Sequence, residues 1–153
     1  LTPSVAQLVG VAVREPARHL AGAPVGVQIS GDAAALAARP DIDVLIDCCS
    51  DPAAAEGAVR VALGRGAGVV TASKVLAGQR GEELSSLARA SGAALCWSAS
   101  CGGGVPVLET IAALAERGER VVSVRAVLNG TCNFVLDRLG EGWPLFDAVR
   151  RAQ

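Results

Sequence analysis

The segment 129–139 combines a sharp turn with the start of a helix. The apolar, strand-like run 121–128 stops at an Asn-Gly dipeptide, which tolerates a tight backbone turn. Apolar side chains then recur at helical spacing, at Cys132, Val135, Leu136 and Leu139. Thr131 and Asn133 are therefore predicted at a helix N-terminus, where backbone N–H groups and the helix dipole attract anions. The junction predicts a site for a small carboxylate-bearing substrate, although a capped turn without a ligand gives the same pattern.

Lys74 stands just beyond a second apolar run, residues 68–71, where a buried strand is expected to end. The chain has 14 Lys and Arg residues, and Lys74 is the only lysine among them. An amine at such a position costs desolvation energy unless it has a partner or a role. The sequence therefore predicts that the Lys74 amine acts in catalysis or ligand binding, with an ordinary solvated lysine as the alternative.

Alternating strands and helices are predicted to position these residues. Strand-like runs occur at 8–13, 43–47, 68–71, 93–96 and 121–128. Helices are expected at 52–66, 82–90 and 105–116, and after the Asn-Gly turn at 129–130. This order predicts an α/β fold with a doubly wound parallel sheet. Because the pattern changes at 101–104, we predict a nucleotide-binding domain over residues 1–100 and the start of a second, substrate-binding domain over residues 101–153.

Helical spacing also predicts which side chains are buried. The inward face of the helix at 52–66 is expected to consist of Ala55, Val59, Ala62 and Leu63. The inward face of the helix at 105–116 is expected to consist of Leu108, Ile111, Ala112 and Ala115.

Two residues after the run 43–47 are candidates for cofactor binding. In doubly wound sheets, ligands lie beyond the carboxyl ends of the strands. Cys49 and Ser50 occupy such an end and would lie beside the ribose of a nicotinamide nucleotide. The alternative is purely structural, with Ser50 or Asp51 capping a helix that begins at Pro52.

Arg14 follows the run 8–13 and bears on the choice of nucleotide. An arginine at this kind of position can take the 2′-phosphate of NADP, whereas an acidic residue holds the 2′-hydroxyl of NAD. Glu15 is the next residue, so NADP is only slightly favoured over NAD. A solvated charge pair at a strand end accounts for the two residues equally well.

Composition limits the classes of partner. With 153 residues and a net charge of −1, the chain is not suited to nucleic acid or an anionic membrane as its main partner. No apolar run is long enough to span a bilayer. Five cysteines without Cys-x-x-Cys spacing predict reduced thiols and a cytoplasmic location, with Cys48 and Cys49 as small buried hydrophobes. Because His19 is the single histidine, no zinc site is expected.

Three blocks of the chain resemble homoserine dehydrogenases, in that family's order and spacing. They are Val69-Val-Thr-Ala-Ser-Lys74, Ala99-Ser-Cys-Gly-Gly-Gly-Val-Pro106 and Asn129-Gly-Thr-Cys-Asn-Phe-Val-Leu136. The resemblance implies interconversion of L-homoserine and L-aspartate 4-semialdehyde with NAD(P)H, in the biosynthesis of threonine and methionine. It also implies a partial Rossmann-type domain followed by the start of an α/β substrate and dimerisation domain, and a homo-oligomer in the intact protein.

The resemblance also implies roles for individual residues. Lys74 would contact cofactor and substrate, and Cys49 and Ser50 would lie along the cofactor. Gly130 and Thr131 would line the homoserine pocket. Backbone carbonyls would bind a sodium ion in a loop at Cys101, Gly103 and Val105.

The chain departs from the family pattern in four respects. Ser73 stands where the family usually has Asn, and Ser98 stands where a glutamate normally completes the cation site. No Gly-x-Gly-x-x-Gly motif precedes the first strand, and the chain stops at Gln153, before the family's second catalytic lysine. We therefore expect an interior fragment of the enzyme with little NAD(P) affinity and no turnover alone. The alternatives are a non-catalytic dimerisation module and a related oxidoreductase acting on another small amino-acid aldehyde.

Overall fold

The computed structural model describes residues 6–126 and 129–153. The chain divides into two compact units, with the boundary between Ser100 and Cys101. The first unit contains both strands and helices, whereas the described part of the second is helical.

Strands and helices alternate through the first unit. Its strands are β1 (Gly10–Ala12), β2 (Gln28–Ser30), β3 (Val44–Asp47), β4 (Gly68–Thr71) and β5 (Leu95–Cys96). Its α-helices are α1 (Ala33–Ala37), α2 (Pro52–Gly64) and α3 (Lys74–Ser91). Short 3-10 turns lie at Pro16–Arg18, Leu20–Gly22 and Ser98–Ser100.

The strands of the first unit pair in parallel. β1 pairs with β2, and β3, β4 and β5 form a second sheet in that order. Parallel neighbours need a crossover connection. Helix α2 connects β3 to β4, and helix α3 connects β4 to β5. The predicted α/β class with parallel strands is confirmed. In the register of β3 and β4, Asp47 lies opposite Thr71, at the carboxyl ends of both strands.

The core of the first unit is formed where α2 and α3 pack with β4. Its largest fully buried apolar side chains are those of Val59, Leu63, Val69, Leu76 and Leu84. All four residues predicted on the inward face of α2 are buried. Helix α2 begins where predicted because Asp51 Oδ1 accepts a hydrogen bond from the Ala53 N–H at 3.0 Å, and Pro52 occupies the first turn.

Two short elements of the first unit, β2 and α1, were not predicted from the sequence. Strand β2 has only three residues and lacks an apolar run. The start of α1 does carry a signal, because Asp32 precedes an alanine-rich stretch and its Oδ1 accepts from the Ala35 N–H at 2.8 Å. Arg65 then fixes the end of α1, donating from Nε to the Ala37 carbonyl at 2.8 Å and from a second nitrogen to the Ile42 carbonyl.

The second unit contains helices α4 (Val107–Glu116), α5 (Gly130–Gly140) and α6 (Leu145–Ala152). Helix α6 was not predicted. On α4, Leu108 and Ile111 are half-buried as expected, but Ala112 and Ala115 are exposed, so the predicted inward face is only partly correct.

The strand predicted at 121–128 is wrong over its described part. Residues 121–126 form no strand, and Val122 is 82% exposed. Val127 and Leu128 lie outside the described residues. Valine-rich sequence favours a strand only where a neighbouring strand can pair with it and bury one face. No strand is described after β5, so this segment has no such neighbour within the described part of its unit.

Arg138 joins the end of α5 to the turn before α6. Its guanidinium carbon lies 5.4 Å from the centre of the Phe134 ring and 5.7 Å from that of the Trp143 ring. The guanidinium also pairs with Glu141 at 2.7 Å, and the Arg138 carbonyl accepts from the Trp143 backbone N–H at 3.0 Å.

Replacing Leu84 by alanine tests the described core. Leu84 is fully buried on α3, so Leu84→Ala should lower the free energy of unfolding by about 2–5 kcal/mol, measured by chemical denaturation. The matched control is Leu20→Ala, because Leu20 is 61% exposed and its loss should change stability by less than about 0.5 kcal/mol. Equal losses in the two variants would contradict the placement of α3 in the core.

Candidate nucleotide-binding edge

The carboxyl ends of β3 and β4 are joined by a buried carboxylate. Asp47 is 5% exposed and Thr71 is fully buried. Thr71 Oγ1 donates to Asp47 Oδ2 at 2.6 Å, and the Ala72 N–H donates to the Asp47 carbonyl at 2.9 Å. A short bond to a charged acceptor is among the stronger hydrogen bonds in proteins. The two strand ends are therefore held together at the edge where a doubly wound sheet binds its ligand.

The turn after β3 carries Cys49 and Ser50, both exposed. Its backbone is anchored because the Cys49 N–H donates to Asp47 Oδ1 at 2.9 Å. Partial desolvation raises the pKa of the Cys49 thiol, and the adjacent Asp47 carboxylate raises it further. The helix after the turn is capped by Asp51 rather than by Ser50, which leaves the Ser50 side chain outside the cap.

Lys74 is the first residue of α3, the helix that follows β4, and it is exposed. Ser73 caps this helix, with its Oγ accepting from the Leu76 N–H at 3.3 Å. The Ser73 N–H in turn donates to Thr71 Oγ1 at 3.0 Å. The helix was predicted to begin at residue 82, and it starts eight residues earlier because Ser73 supplies the cap.

The remaining predicted site residues lie elsewhere in the chain. Arg14 is exposed and follows β1, in the other sheet of the first unit. Glu15 forms an ion pair with Arg18 at 2.6 Å. The alternative expectation was that Glu15 forms a solvated charge pair with Arg14.

Gly130 and Thr131 open α5 in the second unit. Asn129 caps this helix, its Oδ1 accepting from the Cys132 N–H at 3.0 Å. The predicted helix start, with Thr131 and Asn133 in the first turn, is therefore confirmed.

Cys101, Gly103 and Val105 lie in the loop before α4. Gly102 and Gly103 adopt positive φ angles of 73° and 61°, which turn the chain sharply. The Val105 carbonyl accepts from the Val107 N–H at 2.8 Å, so one of the three predicted cation-binding carbonyls already has a hydrogen-bond donor.

Cysteine exposure differs from the prediction. Cys48 and Cys49 are exposed rather than buried, since the turn between β3 and α2 is held by its backbone and not by packing of its side chains. All five cysteines are free thiols.

Within residues 6–126 and 129–153 there is no group of three or more His, Cys, Asp or Glu side chains that could hold a metal ion. No helix in the same described ranges is both long and apolar enough to cross a membrane.

Hydrogen bonds link the backbone of Cys49 to that of Ser73, the residue before Lys74, through residues that the sequence did not single out. These are Asp47 and Thr71, the two strand-end residues whose side chains bond to each other. A signal for Asp47 was available, because a carboxylate at the end of the apolar run Val44–Asp47 is expected to need hydrogen-bond donors. Thr71 carries no comparable signal, since threonine is common in strands.

Parallel strands, crossover helices and polar groups at the strand ends define the first unit as a Rossmann-like domain of the nucleotide-binding class. Two family models match successive parts of the chain: homoserine dehydrogenase, NAD binding domain, over residues 3–97, and homoserine dehydrogenase over residues 106–153. The chain belongs to the homoserine dehydrogenase family.

Individual relatives agree with this membership. The chain is 33% identical over 121 residues to a homoserine dehydrogenase of Neisseria gonorrhoeae, covering 77% of this chain and 27% of that protein. It is 32% identical over 126 residues to the Pseudomonas aeruginosa homoserine dehydrogenase, covering 82% and 29%. The chain thus spans less than a third of the length of these relatives.

Solved structures show the same similarity. A homoserine dehydrogenase from Thiobacillus denitrificans matches 95% of this chain and 33% of its own, with a TM-score of 0.74 and 27% identity. A hyperthermophilic archaeal homoserine dehydrogenase in complex with NADPH matches with a TM-score of 0.68 at 23% identity, which supports the fold.

The pKa of Cys49 gives a test of the geometry around Asp47. Asp47→Asn removes a charge that disfavours the thiolate, so the Cys49 pKa should fall while the contribution of desolvation remains. More thiolate at a given pH means faster alkylation, and we expect the rate at about pH 8 to rise roughly two- to tenfold. The alkylation rate of Cys49 by iodoacetamide is measured by peptide-level mass spectrometry. Cys132 in the second unit is the internal control, and its rate should not change. An unchanged or slower rate at Cys49 would contradict the described contact.

Proposed function

We propose that this chain is part of the catalytic machinery of an NAD(P)-dependent homoserine dehydrogenase, which interconverts L-homoserine and L-aspartate 4-semialdehyde in the biosynthesis of threonine and methionine. The observation that carries the proposal is that two homoserine dehydrogenase models match the chain in succession. The domains proposed are a nucleotide-binding part over residues 1–100 and the start of the substrate part over residues 101–153, a division that the two compact units support.

The residues at the β3–β4 edge are suited to a nicotinamide nucleotide. Exposed Cys49 and Ser50 stand on an anchored turn that would run along the cofactor, and exposed Lys74 begins the helix after the next strand. When bound, the nicotinamide supplies hydride exchange with the carbon that carries the aldehyde or alcohol oxygen. Lys74 would contact cofactor and substrate, stabilise negative charge on that oxygen and help to move its proton.

Gly130 and Thr131 are proposed to contact the amino-acid substrate. Both lie in the first turn of α5, where backbone N–H groups remain free of intrahelical partners and the helix dipole favours a carboxylate. The Asn129 side chain accepts from the N–H of Cys132, so the cap leaves the N–H groups of the two preceding residues for a ligand.

NADP is proposed as the slightly preferred nucleotide. Arg14 follows β1 and is exposed, and the neighbouring Glu15 is paired with Arg18. That pairing reduces the repulsion that Glu15 would exert on a 2′-phosphate, while Arg14 offers a fork of donors suited to it.

We also propose a site for a monovalent cation, which would bind its ion weakly. The donors would be the carbonyls of Cys101, Gly103 and Val105, one of which accepts from the Val107 N–H. Ser98 offers a hydroxyl where the family's glutamate would supply charge, so the donor set fits a cation poorly. The roles proposed for Lys74, Cys49 and Ser50 do not require a cation. We also propose a homo-oligomer and a cytoplasmic location, the latter supported by five free thiols.

Nucleotide preference can be tested by titrating the full-length protein with NADPH and NADH. We expect tighter binding of NADPH, and Arg14→Ala should weaken NADPH binding about tenfold while leaving NADH within about twofold, because only NADPH carries the 2′-phosphate. Arg89→Ala, at the far end of α3, is the control and should change neither affinity. Equal loss of both nucleotides in Arg14→Ala would remove Arg14 from nucleotide selection.

The role of Lys74 can be tested by the kinetics of homoserine oxidation in the full-length protein. Lys74→Ala should lower kcat/KM by about a hundredfold or more, the usual scale for a general acid–base or charge-stabilising group. Arg80→Ala, in the same helix, removes an exposed cation paired with Glu56 and should have little effect. Unchanged kinetics in Lys74→Ala would exclude Lys74 from the mechanism. Faster turnover of another amino-acid aldehyde by the wild type would instead identify a related oxidoreductase.

A further inference from the structure

Four hydrogen bonds run in series between the turn after β3 and the start of α3. The Cys49 N–H donates to Asp47 Oδ1 at 2.9 Å, and Thr71 Oγ1 donates to Asp47 Oδ2 at 2.6 Å. The Ser73 N–H then donates to Thr71 Oγ1 at 3.0 Å, and the Leu76 N–H donates to Ser73 Oγ at 3.3 Å. We call Asp47, Cys49, Thr71 and Ser73 the Asp47 network.

The chemistry of the Asp47 network fixes the direction of each bond. Both oxygens of an ionised carboxylate only accept, so Asp47 can receive a hydrogen from the turn and another from β4 at the same time. The single Thr71 hydrogen is directed at Asp47, which leaves the lone pairs of Oγ1 for the Ser73 N–H. An asparagine at position 47 would present an NH₂ group to one of the two donors. The side chains at positions 47, 71 and 73 are therefore the ones on which the network depends, whereas Cys49 and Leu76 contribute only their backbone N–H groups.

We infer that Asp47 and Thr71 form a positioning unit that sets the location of Lys74 relative to Cys49 and Ser50. This inference rests on the proposed function, since it concerns the nucleotide edge of that site. Neither Asp47 nor Thr71 is exposed enough to meet a ligand directly. Their effect would be exerted through the backbone of the turn on one side and through the cap of α3 on the other.

Positioning of this kind has a large effect on catalysis. A misplacement of about 1 Å at a reacting group can cost on the order of a hundredfold in rate. Lys74 has a long flexible side chain, but its Cα position is set by the cap that Ser73 makes. The Cys49 N–H bond likewise sets the path of the backbone that carries Ser50. The Cys49 N–H bonds the Asp47 carboxylate directly, and the Ser73 N–H is joined to the same carboxylate through Thr71 Oγ1. A change at Asp47 or Thr71 should therefore alter the backbone on both sides.

The test compares Thr71→Val with Thr71→Ser in the full-length protein. Valine keeps the shape of threonine but leaves Asp47 Oδ2 and the Ser73 N–H without their described partner, whereas serine keeps the hydroxyl. We expect Thr71→Val to raise the dissociation constant of NADPH about tenfold, and Thr71→Ser to stay within about threefold of the wild type. Should the valine variant fail to fold, Asp47→Asn breaks one link of the same network and is expected to have the same effect.

Two readouts separate positioning from a purely structural role. In hydrogen–deuterium exchange, Thr71→Val should increase uptake both in the peptide containing Cys49 and in the peptide containing Ser73 and Leu76. In a double-mutant cycle, the effect of Thr71→Val on NADPH affinity should shrink when Ser50→Ala is already present. Uptake confined to the start of α3, or additive effects in the cycle, would overturn the inference.

Nucleotide binding by the wild-type protein distinguishes failure of this inference from failure of the proposed function. If the full-length wild-type protein binds neither NADPH nor NADH, the proposed function is wrong, and a role in positioning a nucleotide site is excluded with it. If the wild type binds and Thr71→Val binds equally well, the proposed function stands and the positioning role alone is overturned.

Discussion

Burial of the Asp47 carboxylate is the constraint on which the candidate nucleotide-binding edge of the first unit depends. Moving a carboxylate out of water costs several kcal/mol unless hydrogen bonds replace the lost hydration. Here one donor comes from the turn after β3 and the other from β4, the neighbouring strand. The strands cannot shift against each other, and the turn cannot reorganise, without leaving one carboxylate oxygen unpaired. The charge therefore stabilises one arrangement of the two loops, in addition to what the parallel pairing of β3 and β4 contributes.

Elements were predictable from the sequence where local signals and tertiary packing agree. Helix α2 has a cap at Asp51, proline in its first turn and a continuous apolar face, and that face is buried as expected. Residues 121–126 show the opposite case. Their valines favour a strand, but strand formation depends on a neighbour that sequence pattern does not reveal. Short elements such as β2 are missed for a related reason, because three residues contain too little periodicity to be recognised.

The exposed residues of the candidate site were predictable from the sequence, but the buried residues that hold them in place were not. Lys74, Cys49 and Ser50 could be selected because each follows an apolar run at a strand end. Asp47 and Thr71 join these residues, and their connection depends on the register of β3 and β4, which places them opposite each other. Register is set by pairing between segments 24 residues apart, so neither residue type reveals the bond by itself. The sequence thus indicates which exposed groups are candidates for ligand binding, whereas their relative placement requires the structure.

The two serines that depart from the family pattern have different physical consequences. At position 73 a helix cap is needed, and serine provides an acceptor oxygen as effectively as asparagine does, so α3 is capped directly before Lys74. At position 98 a full negative charge would be needed to offset the dehydration of a cation, and a hydroxyl does not supply it. Serine therefore supplies the oxygen that capping requires at position 73, but it does not supply the charge that ion binding would require at position 98. This contrast is consistent with the proposed nucleotide site, including Lys74, and it speaks against the cation site expected from the resemblance.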